Sequence, residues 1–202
     1  WHCHRDALFT SLDMEKCVLM FDFITQDPAQ LSDQQIQFLR DSVLLQHQWA
    51  RQYTLALIQS IPEPLWYVIP TGMCTNLAWQ VGHLGVAQYG LMLFRQRGRS
   101  EGDVTLMPGW LRKQFGRGTS APTDADSMPS PGVLIQHLDD IYQQAIAEVS
   151  QSTVGRLREA CDIPFCVYPN KLGALMLAPI HEAIHAGQIG TLRRAFGLEP
   201  LR

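Results

Sequence analysis

Two imidazoles four residues apart carry the most legible chemistry in this sequence: His181-Glu182-Ala183-Ile184-His185. On an α-helix each residue turns about 100°, so the two rings stand on one face about one turn apart, which is the geometry of a chelate. Neutral imidazole is the commonest protein metal ligand, and such a pair needs only one or two further donors to hold Zn²⁺ or a similar ion. The competing reading is one core histidine and one surface histidine. The same residues spell H-E-x-x-H, the zinc-protease string in which the Glu is the general base. The elongated protease motif wants Gly and His where this chain has Gln188 and Thr191, and the only carboxylate downstream is Glu199, in a Gly-Leu-Glu-Pro stretch. A third ligand must therefore come from upstream, which is not the protease arrangement. Glu182 lies about 100° round the helix from His181 and reads equally well as a surface residue; a general-base role for it is the lesser alternative.

The elements that must position these residues can be read from periodicity and caps. Ser32 with Gln35 three residues on is a capping box, and Ile36, Leu39, Val43, Leu44, Trp49, Leu55 and Ile58 recur at helical spacing up to Pro62, which predicts a first helix over Ser32 to Ser60. His47, in its middle, reads as an exposed or satisfied helical residue rather than a ligand. Thr75 or Asn76 caps a second helix, Leu77 to Arg97, on which His83 sits among small and apolar residues where an inward ligand belongs. Gly82, Gly85 and Ala87 beside it permit close approach of another backbone. Ser130-Pro131 starts a third helix reaching Ser150, with His137 on its polar boundary. A fourth runs from near Lys171 to Phe196, with Arg193 and Arg194 in its last turns, Gly197 as its stop and Pro179 predicting a kink. Residues 98–130, rich in Gly and Pro, read either as a long irregular flap over one end of the bundle, shaping the substrate pocket, or as an ordered surface strap pinned by Trp110 and Phe115.

Composition narrows the class. The 202 residues are 46% hydrophobic and 17% charged, which suits a single soluble domain with one core, and no apolar run approaches a membrane span. A formal charge of −3 argues against nucleic-acid binding, and the Arg95, Arg97, Arg99 cluster reads as a solvated helix C-terminus. Five cysteines without a C-x-x-C pair suit free thiols in a reducing, cytoplasmic setting. Trp1-His2-Cys3-His4 looks like a metal tract but reads as incidental. Residues 1–19 lack the h-region of a signal peptide, and Met14 and Met20 offer internal starts. The expected organisation is an N-terminal extension over 1–30 and a helical metal-binding domain over 31–202.

Four helices with His83 on the second and His181 and His185 on the fourth make an all-α four-helix bundle with a metal site on its inner face. With Asn76-Leu77-Ala78-Trp79-Gln80-Val81-Gly82-His83-Leu84, and His181 to His185 followed by Ala186-Gly187-Gln188-Ile189 and Leu192-Arg193-Arg194, the chain resembles the DinB/YfiT-like superfamily from about residue 31 onward. The resemblance implies one divalent transition metal, Zn²⁺ or Ni²⁺ foremost, on His83, His181 and His185. It also implies a small-molecule substrate and pairing into a homodimer, and gives Glu182 no inherited role. Three neutral imidazoles leave the ion an open position, which fits a hydrolase with metal-activated water or a thiol-dependent S-transferase or isomerase using a low-molecular-weight thiol. A non-catalytic structural or dimerisation module is the third expectation, requiring a fourth ligand such as His47, Asp124 or Asp126. Gln188, one turn beyond His185, is expected to support a ligand or orient the substrate.

Overall fold

Ser32 begins the first long helix as its capping box requires: its hydroxyl accepts from the Gln35 N–H while the Gln35 side chain accepts from the Ser32 N–H. A computed structural model describes residues 28–161, 163 and 166–201 of the chain. The Trp1–His4 tract, Met14, Met20 and most of the expected extension lie outside the described residues. Helix α1 (Asp33–Gln59) buries Ile36, Val43, Ala50, Leu57 and Ile58, whereas Trp49, assigned from spacing to the same stripe, is 55% exposed.

Asn76 caps α2 (Leu77–Gln88) through its side-chain oxygen, which accepts from the Trp79 N–H. The helix expected to run to Arg97 does so with a change of pitch: Tyr89–Phe94 is π-helical, and α3 (Arg95–Arg97) ends at Gly98, φ +82°. Leu91, Met92 and Leu93 are all buried, and the wider π turn lets three successive side chains share the core as an α-helical stripe cannot.

Residues 98–130 are less irregular than their glycines and prolines predict. Two short helices, α4 (Asp103–Leu106) and α5 (Gly109–Phe115), interrupt them. Met107, Leu111 and Phe115, at four-residue spacing, are buried, so a short apolar stripe overrides the local breakers. Helix α6 (Pro131–Ser150) follows with Pro131 at its first position, then α7 (Val154–Arg158). Helix α8 (Lys171–Ala195) is capped by Asn170, contains Pro179 and stops at Phe196 before Gly197, φ +74°.

Helix α1 packs along α8, α2 packs against both α6 and α8, and α6 closes back on α1, so these four long helices surround one apolar core. The described residues are all-α, and the only β-type pairing among them is an isolated bridge between Ala160 and Asn170. No helix among them is long and apolar enough to cross a membrane.

Candidate metal centre

Helices α2 and α8 lie side by side and bring His83 against His181 and His185, with ligand-capable nitrogens all within 4.8 Å of one another. The ring centroids are 5.4 Å apart for His83 and His181, 5.0 Å for His83 and His185, and 4.5 Å for His181 and His185. His185 is buried and the other two are half-buried.

Two of the three rings are fixed at the nitrogen facing away from the cluster. His83 Nδ1 lies 2.8 Å from the Phe115 carbonyl oxygen and His185 Nδ1 lies 2.5 Å from Gln80 Oε1. Both partners are acceptors, so each ring carries its proton on Nδ1 and keeps a bare lone pair on Nε2, the tautomer a metal requires. Gln80 is itself oriented, because its amide N–H donates to Thr75 Oγ1 at 3.0 Å, leaving the oxygen for His185. The Phe115 carbonyl reaches His83 because residue 82 is glycine: a Cβ there would stand 2.4 Å from the Phe115 ring. The small residue read as admitting a backbone thus admits an aromatic ring. Trp79 completes the wall, stacked on His83 with centroids 4.5 Å apart and its indole N–H donating to Thr119 Oγ1 at 2.9 Å.

Electrostatics keep these imidazoles in the ligand form. Burial, reinforced by the neighbouring His83, lowers His181 to about 4, and burial with His181 and His83 lowers His185 to about 2. His83 is lowered too, chiefly by burial, although its bond to Phe115 pulls the other way. Three neutral donors with two fixed tautomers fit a divalent transition ion.

The other residues singled out from sequence fall elsewhere. Glu182 is not a surface residue: it is 2% exposed and points away into the core between the helices. There Arg51 Nε donates to its Oε1 at 2.6 Å and Arg51 Nη2 to its Oε2 at 2.9 Å, so the carboxylate is occupied. The physical reason is the rotation of about 100° per residue, which turns residue 182 toward α1 when 181 and 185 face α2. His47 belongs to this second cluster, 3.4 Å from Glu182 Oε2 and stacked on Tyr142. Asp124 and Asp126 are exposed, and His137 contacts Trp110, so the three-histidine group gains no fourth ligand among the described residues. Gln188 and His185 both line a cavity of about 370 Å³, together with Met73, Thr75, Trp79 and Thr119. The segment 98–130 touches this site through the Phe115 carbonyl and Thr119 Oγ1.

Gln80 is the residue sequence reasoning missed. Its signal was its place one turn before His83 on the same helix, but its partner is 105 residues away and only the packing of α2 on α8 reveals it. No curated protein matches the chain. The family model of the DinB superfamily matches residues 46–189, a span that holds all three histidines, and the chain belongs to that superfamily.

Proposed function

We propose that this four-helix bundle is a cytoplasmic metal-dependent enzyme that holds one Zn²⁺ or Ni²⁺ on His83, His181 and His185 and hydrolyses a small uncharged molecule. The observation that carries the reading is the pair of acceptors, Gln80 Oε1 and the Phe115 carbonyl, which set two rings in the ligand tautomer beside a cavity. A divalent ion on three neutral imidazoles keeps its charge and an open position, and so supplies activation of water or of a thiol near neutral pH. Beside His185 the adjoining cavity is lined by hydroxyls, amides, Met73, Cys74, Trp79 and Ala121, with no Lys, Arg, Asp or Glu, which suits a neutral polar substrate. Gln188 is the residue we assign to orienting it. The free thiols of Cys74 and Cys166 support the reducing compartment.

One observation favours a second reading. With Glu182 bound to Arg51, no carboxylate borders the cavity among the described residues, and thiol attack needs no general base. A transferase that activates a low-molecular-weight thiol at the same ion therefore stands as the alternative. A purely structural ion is less well supported, because it wants a fourth protein ligand.

Elemental analysis of the purified protein with His83→Ala, His181→Ala and His185→Ala is the test. We expect roughly one ion per chain, lost in each variant. Retention of metal by all three would sink the site. Turnover of neutral esters and amides, against conjugation of a small thiol to chlorodinitrobenzene, then separates the two chemistries.

A further inference from the structure

The arginine cluster at the end of the second long helix does not dissolve into solvent as its sequence suggests. Arg97 is engaged: Asp103 accepts from Arg97 Nη1 and Nη2, each at 2.8 Å, and Glu148 accepts from Arg97 Nε at 2.6 Å. Asp103 is thereby consumed, since it also accepts from the Tyr89 hydroxyl and from Ser100. Arg95 and Arg99 are left without that counter-charge, and α5 brings a third cation, Arg112, to the same place. The three arginines line one cavity of about 430 Å³ together with the rings of Tyr89 and Phe94, and no carboxylate lines it. Arg99 and Arg112 have no side-chain hydrogen-bond or ion-pair partner among the described residues. Arg95 is folded back over the π-helical turn, its Nη1 reaching the Gly90 carbonyl at 3.4 Å.

We propose that this cavity is a binding site for a small organic anion, a phosphate ester or carboxylate on an aromatic or apolar body. Three like charges repel one another and are stabilised by a bound anion, and guanidinium is the side chain best matched to phosphate and carboxylate oxygens. The rings of Tyr89 and Phe94 give the apolar body a surface, and Gly109 keeps the wall open, because a Cβ there would meet nothing within 4 Å. The π-helical pitch that places Tyr89 and Phe94 on the cavity is a distortion that recurs at functional sites. A concave site of this size on a chain of net charge −3 suits a compact ligand; a polymer would call for an extended basic stripe.

Titration of the full chain by calorimetry with phenyl phosphate, benzoate, inorganic phosphate and phenol tests this. Phenyl phosphate should bind at one site and more tightly than inorganic phosphate, and phenol should not bind. Benzoate outranking phenyl phosphate would assign a carboxylate ligand to the same pocket. The exposed substitutions Arg99→Gln and Arg112→Gln should each weaken binding roughly tenfold, and Gly109→Leu should block it by filling the cavity. His181→Ala should leave it unchanged. Binding lost in His181→Ala but kept in the arginine variants would place the anion on the histidine site and overturn the proposal. So would absence of binding, or uptake of single-stranded DNA or anionic vesicles without uptake of the small anions.

Discussion

At the scale of single residues, the centre depends on two hydrogen bonds that touch no ion. If Gln80 Oε1 holds the His185 proton on Nδ1, then Gln80→Leu leaves that N–H buried and unpaired and lets the ring turn or change tautomer. Loss of such a partner typically weakens metal binding by about 10- to 100-fold, whereas Gln80→Glu retains an acceptor and should lose far less. Chelator competition on folded protein measures the difference; equal affinity in all three proteins would show that Gln80 orients nothing. His181 and His185 were legible because ligand type and i, i+4 spacing are local properties, whereas His83 was picked out by its small and apolar neighbours and by the family resemblance. Gln80 was not, although it stood inside the stretch that carried the family resemblance, because a glutamine acquires this role only from what the facing helix presents.

At the scale of elements, every long helix contributes to one buried polar cluster. Arg51 of α1 binds Glu182 of α8, donates to Gln88 Oε1 of α2 at 2.6 Å and to the Leu138 carbonyl of α6 at 3.1 Å, and lies over the Tyr142 ring. Glu182→Ala would leave the guanidinium buried and uncompensated, so we expect it to destabilise the fold by about 3–5 kcal/mol, while Arg51→Met combined with Glu182→Leu should be near neutral. Denaturant unfolding decides this, and a double variant as unstable as the single one would mean that the cluster is needed in itself. His47 in the same cluster gives a pH signature. Burial lowers it from 6.5 to about 4, against the pull of Glu182 and with the push of Arg51. Between those values the unfolded chain binds the extra proton, so stability is complete above pH 6.5 and falls as the pH drops toward 4, by about 3 kcal/mol for this residue. His47→Phe, which keeps the stack on Tyr142, should remove that part of the slope; an unchanged slope would mean that His47 is already protonated in the fold. The lengths and caps of the long helices were legible because periodicity and capping are local. The carboxylate of the H-E-x-x-H string was misread because its partner lies 131 residues away, and α4 and α5 were missed because glycine and proline outweighed an apolar stripe only three residues long.

At the scale of the whole molecule, the Arg51–Glu182 pair and the contact of Arg193 with Ser60 fix α1 and α8 as parallel neighbours, offset by 131 residues at the first contact and 133 at the second. That offset sets Trp49 of α1 level with Ile180 of α8, with Leu45 one turn before and Ile184 one turn after, and Leu45, Trp49, Ile180 and Ile184 are 68%, 55%, 48% and 55% exposed. Large apolar side chains exposed on the outward faces of two adjacent helices are surface of the kind that marks an interface. A rigid pair of helices can bury such a patch against its own copy about a two-fold axis, the commonest symmetry of soluble oligomers. We therefore expect the protein to sediment as a homodimer. Leu45→Glu with Ile184→Glu should yield a folded monomer, since both side chains already face outward and no core packing is lost. The three histidines and the two acceptors that fix them come from a single chain, so that monomer should still bind metal with undiminished affinity. A wild-type monomer would refute the pairing, and a dimer that survives both substitutions would place the interface on another face.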